Sequence, residues 1–486
     1  MPLQTEACLK KQTLTGQCLI FSTLKLMKSG YSSAFEVKSS YFRGFEVGMI
    51  VARQAIVTSW ATSGDAEKLH QPGGTLVGYR YRRPRCQMKI ALAHKRLELR
   101  GGAERVLYLT AEGLRDRGHE VHLFCQRFRI PPPLGVFGHC VPGFTWPRTA
   151  RLLTFAFLAP RMIAKYDCDV VMSFDRLVRQ DIFRSGGGPH KIFLKKMMRN
   201  GGIWKALWYY ISTYHRLALL IEKRQLRSQA SRKIIAVCEQ AKREIIDAYG
   251  TSEEKVLVVH NGVDHERFHP RLRSDRGEHM RRELGIPANH RVVLFLGTGF
   301  RRKGLGRLLR LWDRGELAGI YLVVVGNDAK LLHYRKQWSN KQNVIFVGPQ
   351  TNVEDYYAAA DLLVLPSIQE AFGNVVLEAL ASGLPVITVP GVGAMDRVDG
   401  ELKEGILINP DDPQELKTKI LRLLDPIRWP SLSLKARQMA EKYTWTAYLD
   451  QIEESLYDCC NGSARLSVPP ESHFSHMAAA KERRAL

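Results

Sequence analysis

The chain has 486 residues, 45% of them hydrophobic, and a formal net charge of +24. That length exceeds one ordinary core, so two domains are expected, and the apolar content is enough to bury them. The charge favours an acidic partner, yet no zinc-finger spacing, RNA-binding aromatic motif or long basic low-complexity tail argues for nucleic acid. The nine cysteines are scattered, with only Cys459 and Cys460 adjacent. They read as free, mostly buried thiols in a reducing compartment rather than a disulfide framework or zinc site. The chain starts without the apolar run of a secretory signal, and nowhere do 18 uncharged apolar residues run together. It therefore reads as cytosolic.

Residues 1–87 show no sustained period of two or of 3.6. They read as a non-conforming or disordered extension, with Met88 a candidate natural start. At Met88 the pattern changes: "MKIALAH" reads as a buried strand, "GGAERVLYLTAEGLRDRGH" as a helix opened by glycines, and "EVHLFC" as the next strand. A strand, glycine turn, helix and strand in that order open a doubly wound domain. A helix is expected near 149–166, then a strand "CDVVMSF", an irregular basic and aromatic region at 175–228, strand "KIIAVC", helix "EQAKREIIDAYG" and strand "KVLVVHNGVD". Residues 88–268 form the expected first domain, and the charged segment 269–290 is the expected link.

The second domain is expected over 291–456. Strands "RVVLFLG", "IYLVVVG", "NVIFVG", "DLLVLP", "PVITV" and "GILIN" alternate there with helical stretches. Near-continuous Val, Leu and Ile runs indicate parallel strands buried on both faces. The last helical stretch is a candidate to return to the first domain, and 457–486 read as a mobile tail. The fold class is therefore α/β, with two doubly wound Rossmann-like domains facing across a cleft. Ligands of such folds sit at the carboxyl ends of the strands.

Three loops at such ends carry candidate chemistry. Gly101 and Gly102 let a ligand approach the first helix start, where phosphate oxygens are favoured. "GTGFRRKG" supplies Gly297, Gly299, Arg302 and Lys303, cations suited to a diphosphate leaving group. It is not a P-loop, and an ordinary solvated basic turn is the plain alternative. In "SIQEAFGNVVLEAL", Glu370 lies in the loop after a buried strand and Glu378 one turn inside the following helix. Phe372, Gly373, Asn374 and Val375 form the turn between them, with Asn374 able to cap the helix. Two separated carboxylates suit two sets of hydroxyls on one ligand.

From Met88 to about Leu456 these motifs, with "VVHNGVD", "LVVVG", "VIFVG" and "ALASGLPVI", resemble the retaining glycosyltransferases of family 4, which have the two-domain glycosyltransferase B fold. Within that family the opening segment and "FDRLVRQDIFRSGGGPHKIFL" look most like lipopolysaccharide-core glucosyltransferases acting on a heptose acceptor. The resemblance implies that Glu370 contacts the donor sugar, Glu378 the ribose hydroxyls, and Arg302 and Lys303 the diphosphate, while Gly102 closes the donor site. Asp175 is the acceptor-side candidate, with Asp181 as its rival. His119 reads as structural, and Asp396, in a loop where relatives carry an acid, is assigned no role.

The implied reaction transfers glucose from UDP-glucose with retention. The nucleotide sugar is a substrate, no cofactor is expected, and there is no metal-binding Asp-x-Asp pair at a strand end. Between His190 and Arg227, cations interleave with Trp204, Trp208, Tyr209, Tyr210 and Tyr214. That pattern suits a phosphorylated glycolipid acceptor and peripheral contact with an anionic membrane surface on its cytoplasmic side. Other readings are a family member with another donor and a lipid-linked or exopolysaccharide acceptor, a nucleotide-sugar epimerase, an inactive scaffold, and a basic nucleic-acid binder. No nucleic acid is expected as partner.

Overall fold

The computed structural model describes residues 87–98, 102–199, 207–209, 211–227 and 230–461. The expected extension 1–87 lies outside them except for its last residue, as do Gly101, Trp204 and Tyr210.

The first sheet begins with β1 (Lys89–Ala93), followed by a short β2 (Arg96–Leu97) that stands apart from it. Helix α1 (Gly102–Asp116) packs its buried stripe of Val106, Leu107, Ala111 and Leu114 on this sheet. Next come β3 (Glu120–Cys125), β4 (Arg127–Phe128, paired with β2), β5 (Phe137–Cys140) and α2 (Arg148–Ile163). β6 (Val170–Ser173) and β7 (Ile182–Ser185) precede α3 (His190–Arg199) and α4 (Thr213–Arg227). β8 (Lys233–Ala236), α5 (Glu239–Tyr249) and β9 (Val256–Val258) complete an all-parallel sheet of order β5-β3-β1-β6-β7-β8-β9.

Beyond α6 (Arg276–Glu283), the second sheet contains β10 (Arg291–Leu296), β11 (Ile320–Val325), β12 (Val344–Gly348), β13 (Leu362–Leu365) and β14 (Val386–Thr388). Its order is β12-β11-β10-β13-β14, again all parallel. Between the strands lie α7 (Phe300–Lys303), α8 (Leu305–Asp313), α9 (Leu331–Gln337), α10 (Val353–Ala359) and α11 (Asn374–Ala381). Helices α12 (Pro413–Leu423), α13 (Trp429–Ala440) and α14 (Trp445–Asn461) follow. Two doubly wound α/β domains therefore face each other, each turning its strand carboxyl ends toward the other.

Several local expectations change. β5 and β7 were not anticipated, because their sequences, "FGHC" and "IFRS", are short and interrupted by polar residues. "GILIN" is not a strand. It makes one bridge, Thr388 to Ile406, and the Glu415 carboxylate accepts the amides of Ile408 and Asn409 at 2.7 Å each, which removes them from any ladder.

Segment 269–290, expected as the link with one short helix, contains α6 and is fastened to the second domain. Arg273 and Arg281 donate to the buried Asp361, which also meets Arg291 at 3.3 Å and accepts the Val292 amide at 2.7 Å. Residues 457–461, placed in the tail, continue α14. This helix returns to the first sheet and buries Tyr448, Ile452, Leu456 and Cys459 there with Val106 and Leu107. Arg117 and His119 both reach Glu453 on it, at 2.6 and 3.2 Å. His119 thus ties the start of the first sheet to the last helix.

Candidate functional site

A cavity of about 490 Å³ opens between the domains, lined by Gly187, Gly188, Cys238 and Gln240 from the first and Gln369, Glu370 and Gly391 from the second. Its second-domain wall includes the loop following β13, against which the basic turn after β10 packs. The basic turn after β10 passes through Gly304 at φ 82°, where a Cβ would stand 2.0 Å from the Pro366 carbonyl oxygen. Only glycine fits that approach, and it presses α7 against the loop following β13. Phe300 donates its amide to Asp328 Oδ2 at 2.8 Å, which fixes the start of α7. Lys303, the last residue of α7, then donates directly to Glu370 Oε2, with 9% and 15% of the two side chains exposed. Arg302 rests on backbone oxygens of Gln369 and Thr298, both at 3.4 Å. Gly297 and Gly299 shape the same turn.

Gly373 precedes α11 at φ 77°, and a Cβ there would meet Val392 at 2.7 Å. Phe372 is buried, and Val375 half-buried, behind this turn. Asn374 does not cap the helix as its sequence position suggested. Its Oδ1 instead accepts Asn261 Nδ2 at 2.7 Å, because the first domain lies within reach of the helix start. Glu378 accepts the Tyr357 hydroxyl at 2.9 Å and faces Arg105 of α1 at 3.5 Å. Burial raises its pKa above the ordinary carboxylate value, and Arg105 and the tyrosine only partly offset this. Gly102 sits across from Asn374, whose Nδ2 lies 3.0 Å from where a glycine Cβ would be placed.

On the first domain, Asp175 follows β6 at the cleft end of the sheet. Its carboxylate meets Lys95 Nζ at 2.8 Å and His94 Nε2 at 3.9 Å. Burial alone would raise its pKa, but Lys95, His94 and Arg176 outweigh that and hold it well below the usual range. Burial keeps His94 below its ordinary pKa despite Asp175. Asp181, the rival, lies at the opposite end. It precedes β7, accepts the Val171 amide at 2.9 Å and faces Arg232 at 3.5 Å. In a parallel sheet that is the amino edge, turned away from the cleft, so Asp181 lies apart from Asp175 and the cavity. A small pocket beside Asp175 is lined by Lys95, Arg148, Arg151 and Tyr214.

Sequence reasoning missed His94, Lys95, Arg105 and Tyr357. The first three are visible in principle, because they follow the first strand or fall one turn into the glycine-led helix. Tyr357 had no signal, since only the packing of α10 brings it to Glu378. Asp396 also joins the domains, accepting the Glu239 amide at 2.9 Å and facing His260 at 3.0 Å. Among the described residues no group of three or more His, Cys, Asp or Glu is arranged to hold a metal ion.

Residues 100–267 match Glycosyltransferase Family 4, and residues 277–442 match Glycosyl transferases group 1. A D-inositol 3-phosphate glycosyltransferase of Corynebacterium jeikeium is 30% identical over 303 residues, which is 56% of this chain and 69% of that protein. The lipopolysaccharide glucosyltransferase WaaG of Escherichia coli is 23% identical over 367 residues, 74% of this chain and 96% of that one. A crystal structure of WaaG aligns with a TM-score of 0.65 at 20% identity, covering 76% of this chain and 99% of its own. Anabaena HepE in complex with UDP-glucose aligns with a TM-score of 0.58 at 21% identity, covering 76% and 100%. These structures share the two-domain architecture.

Proposed function

Because this chain belongs to the nucleotide-sugar-dependent glycosyltransferases of the B fold, related to family 4, we propose that it transfers glucose from UDP-glucose, with retention, to a heptose-containing lipopolysaccharide core. The observation that carries this reading is Lys303 held against Glu370 at the wall of the interdomain cavity. A lysine so placed stabilises the charge that develops on a departing diphosphate, and Arg302 adds a second cation. Glu370, oriented by Lys303, accepts from hydroxyls of the transferred sugar. Glu378, steadied by Tyr357, accepts from the ribose. The acceptor hydroxyl attacks on the face from which the diphosphate leaves, whose oxygens can take its proton. Asp175, with Lys95 and His94, orients the acceptor from the first domain.

Exposed Leu207, Trp208, Ile211 and Leu220 lie on the basic region around α3 and α4. Apolar side chains among lysines and arginines suit peripheral contact with the anionic cytoplasmic face of a membrane, where the glycolipid acceptor is presented. None of the helices described is long and apolar enough to cross a membrane.

The test is UDP release from UDP-glucose by the full chain, with and without deacylated heptose-containing core oligosaccharide. Acceptor-dependent release that is lost in Glu370→Ala supports the reading. Absence of release from a folded protein removes this donor and acceptor pair. A second reading keeps the transfer but uses a small phosphorylated polyol as acceptor. The 30% identity to the inositol-phosphate enzyme and the cationic pocket beside Asp175 favour it. Release stimulated by inositol phosphate and not by core oligosaccharide would select it.

A further inference from the structure

The first sheet contains a cation that its own fold does not neutralise. Arg184, on β7, is 2% exposed. Its guanidinium lies 5.2 Å from the centre of the Phe174 ring and 5.9 Å from that of Tyr448. One Nη donates to Asn261 Oδ1, and Nε has no partner. Among the described residues no carboxylate pairs with it. Elsewhere in the molecule buried cations are matched: Lys303 has Glu370, and Arg281 has Asp361. A guanidinium taken from water without a counter-charge is costly, and two rings and an amide offset only part of that cost.

The surroundings show where the missing anion would lie. Asn261, which accepts from Arg184, donates to Asn374, the first residue of α11. The Asn374 amide in turn lies against Gly102, the first residue of α1. The relay from Arg184 therefore ends between two helix N-termini, whose free amides attract phosphate oxygens. Gly187 and Gly188, just after β7, line the cavity itself. A Cβ on Gly186 would stand 3.0 Å from Arg184 Nη1, so the glycine run also keeps the approach to the guanidinium narrow but open.

We propose that Arg184 is a positioning residue for the donor's diphosphate, acting through the Asn261–Asn374 bridge between the domains. The negative charge that its burial calls for arrives with the nucleotide. This rests on the donor reading above. A cation in so dry a site acts over several ångströms, and Asn261 and Asn374 hold the start of α11 where the phosphate oxygens are received.

The test is calorimetric titration of the full chain with UDP, together with thermal unfolding in the absence of nucleotide. Arg184→Met is expected to weaken UDP at least tenfold without lowering the nucleotide-free melting temperature, and Arg184→Lys to recover part of the affinity. A merely structural arginine gives the opposite pattern, with a lower melting temperature and UDP affinity within twofold, and that result overturns the proposal. Asn261→Asp is the second variant should the methionine protein not fold. Its carboxylate supplies an internal counter-ion, so the melting temperature should rise while UDP weakens at least tenfold, and unchanged affinity again overturns the proposal. If the wild-type protein binds neither UDP, ADP nor GDP, the donor reading falls and this inference with it. If the wild type binds and Arg184→Met binds equally, only this inference falls.

Discussion

Replacing Glu378 by glutamine separates what this carboxylate does for a ligand from what it does for the fold. The side chain is 14% exposed, and the cation paired with it, Arg105, is 3.5 Å away on the opposite domain. Burial raises its pKa, so the charged form is disfavoured in the folded chain. The sign follows directly. A group with a raised folded pKa contributes stability at low pH, and that contribution is lost as the pH rises through the folded value. Glutamine removes this cost at neutral pH and can still accept the Tyr357 hydroxyl through its amide oxygen. The melting temperature at pH 7.5 should therefore hold or rise, and the difference from wild type should shrink toward pH 4.5. The ligand loses a charge-assisted hydrogen bond worth about 1.5–3 kcal/mol, or roughly 10- to 150-fold in kcat/KM for the donor. Most of that loss should appear in KM, because the ribose is held equally before and during transfer. Donor titrations paired with thermal unfolding at the two pH values give both readouts. A melting temperature several degrees lower with unchanged donor KM would refute the reasoning and make Glu378 a structural acid.

Three further outcomes follow from the same geometry. Lys303→Ala leaves Glu370 without its cation and the proposed diphosphate site without one of its positive charges, so kcat should fall about 10²- to 10³-fold with donor KM changed much less, as read by initial rates of nucleotide release. Asp361→Ala strands Arg281, whose side chain is 12% exposed, and also releases Arg273, Arg291 and the Val292 amide. It should cost about 3 kcal/mol in urea unfolding, the low end for a broken buried pair because two of the arginines reach solvent, and a loss below ~1 kcal/mol would contradict this. His94, His139, His190 and His215 all sit below the ordinary histidine pKa chiefly through burial, His190 at about 3. Such groups stabilise fully above pH 6.5 and lose that contribution as the pH falls, so the urea midpoint should decline between pH 7 and 5. A flat profile over that window would show that these rings are not buried as described.

The sequence is most readable where local pattern and tertiary role agree. β10, β11 and β13 are near-continuous apolar runs rich in Val, Ile and Leu because both of their faces are covered, and such runs can be read without a partner. β7 is hidden by its own content: an arginine in a four-residue strand reads as loop, and only the cleft explains why a charge is buried there. β5 is an exposed edge with no apolar face to announce it. The turn around Gly373 is legible locally, but the contact between Lys303 and Glu370 joins motifs 67 residues apart, and their spacing along the chain does not show it. Asn374 carried the right residue type for a cap, but a neighbour from the other domain took its side chain. Glu415 likewise removed two amides from what looked like a sixth strand. In each case a side chain distant in sequence competed with the local rule.

The return of α14 to the first sheet has a consequence for synthesis. Chains leave the ribosome from the amino end, and domains generally fold as they emerge. Here the face of α1 bearing Val106, Leu107 and Leu114 waits for Tyr448, Ile452 and Leu456, while the whole second domain is made in between. The domain translated first is thus the last to be finished. A stop codon or proteolytic cut at the start of α14 would remove a wall of the first core and expose an apolar surface that chaperones and proteases recognise.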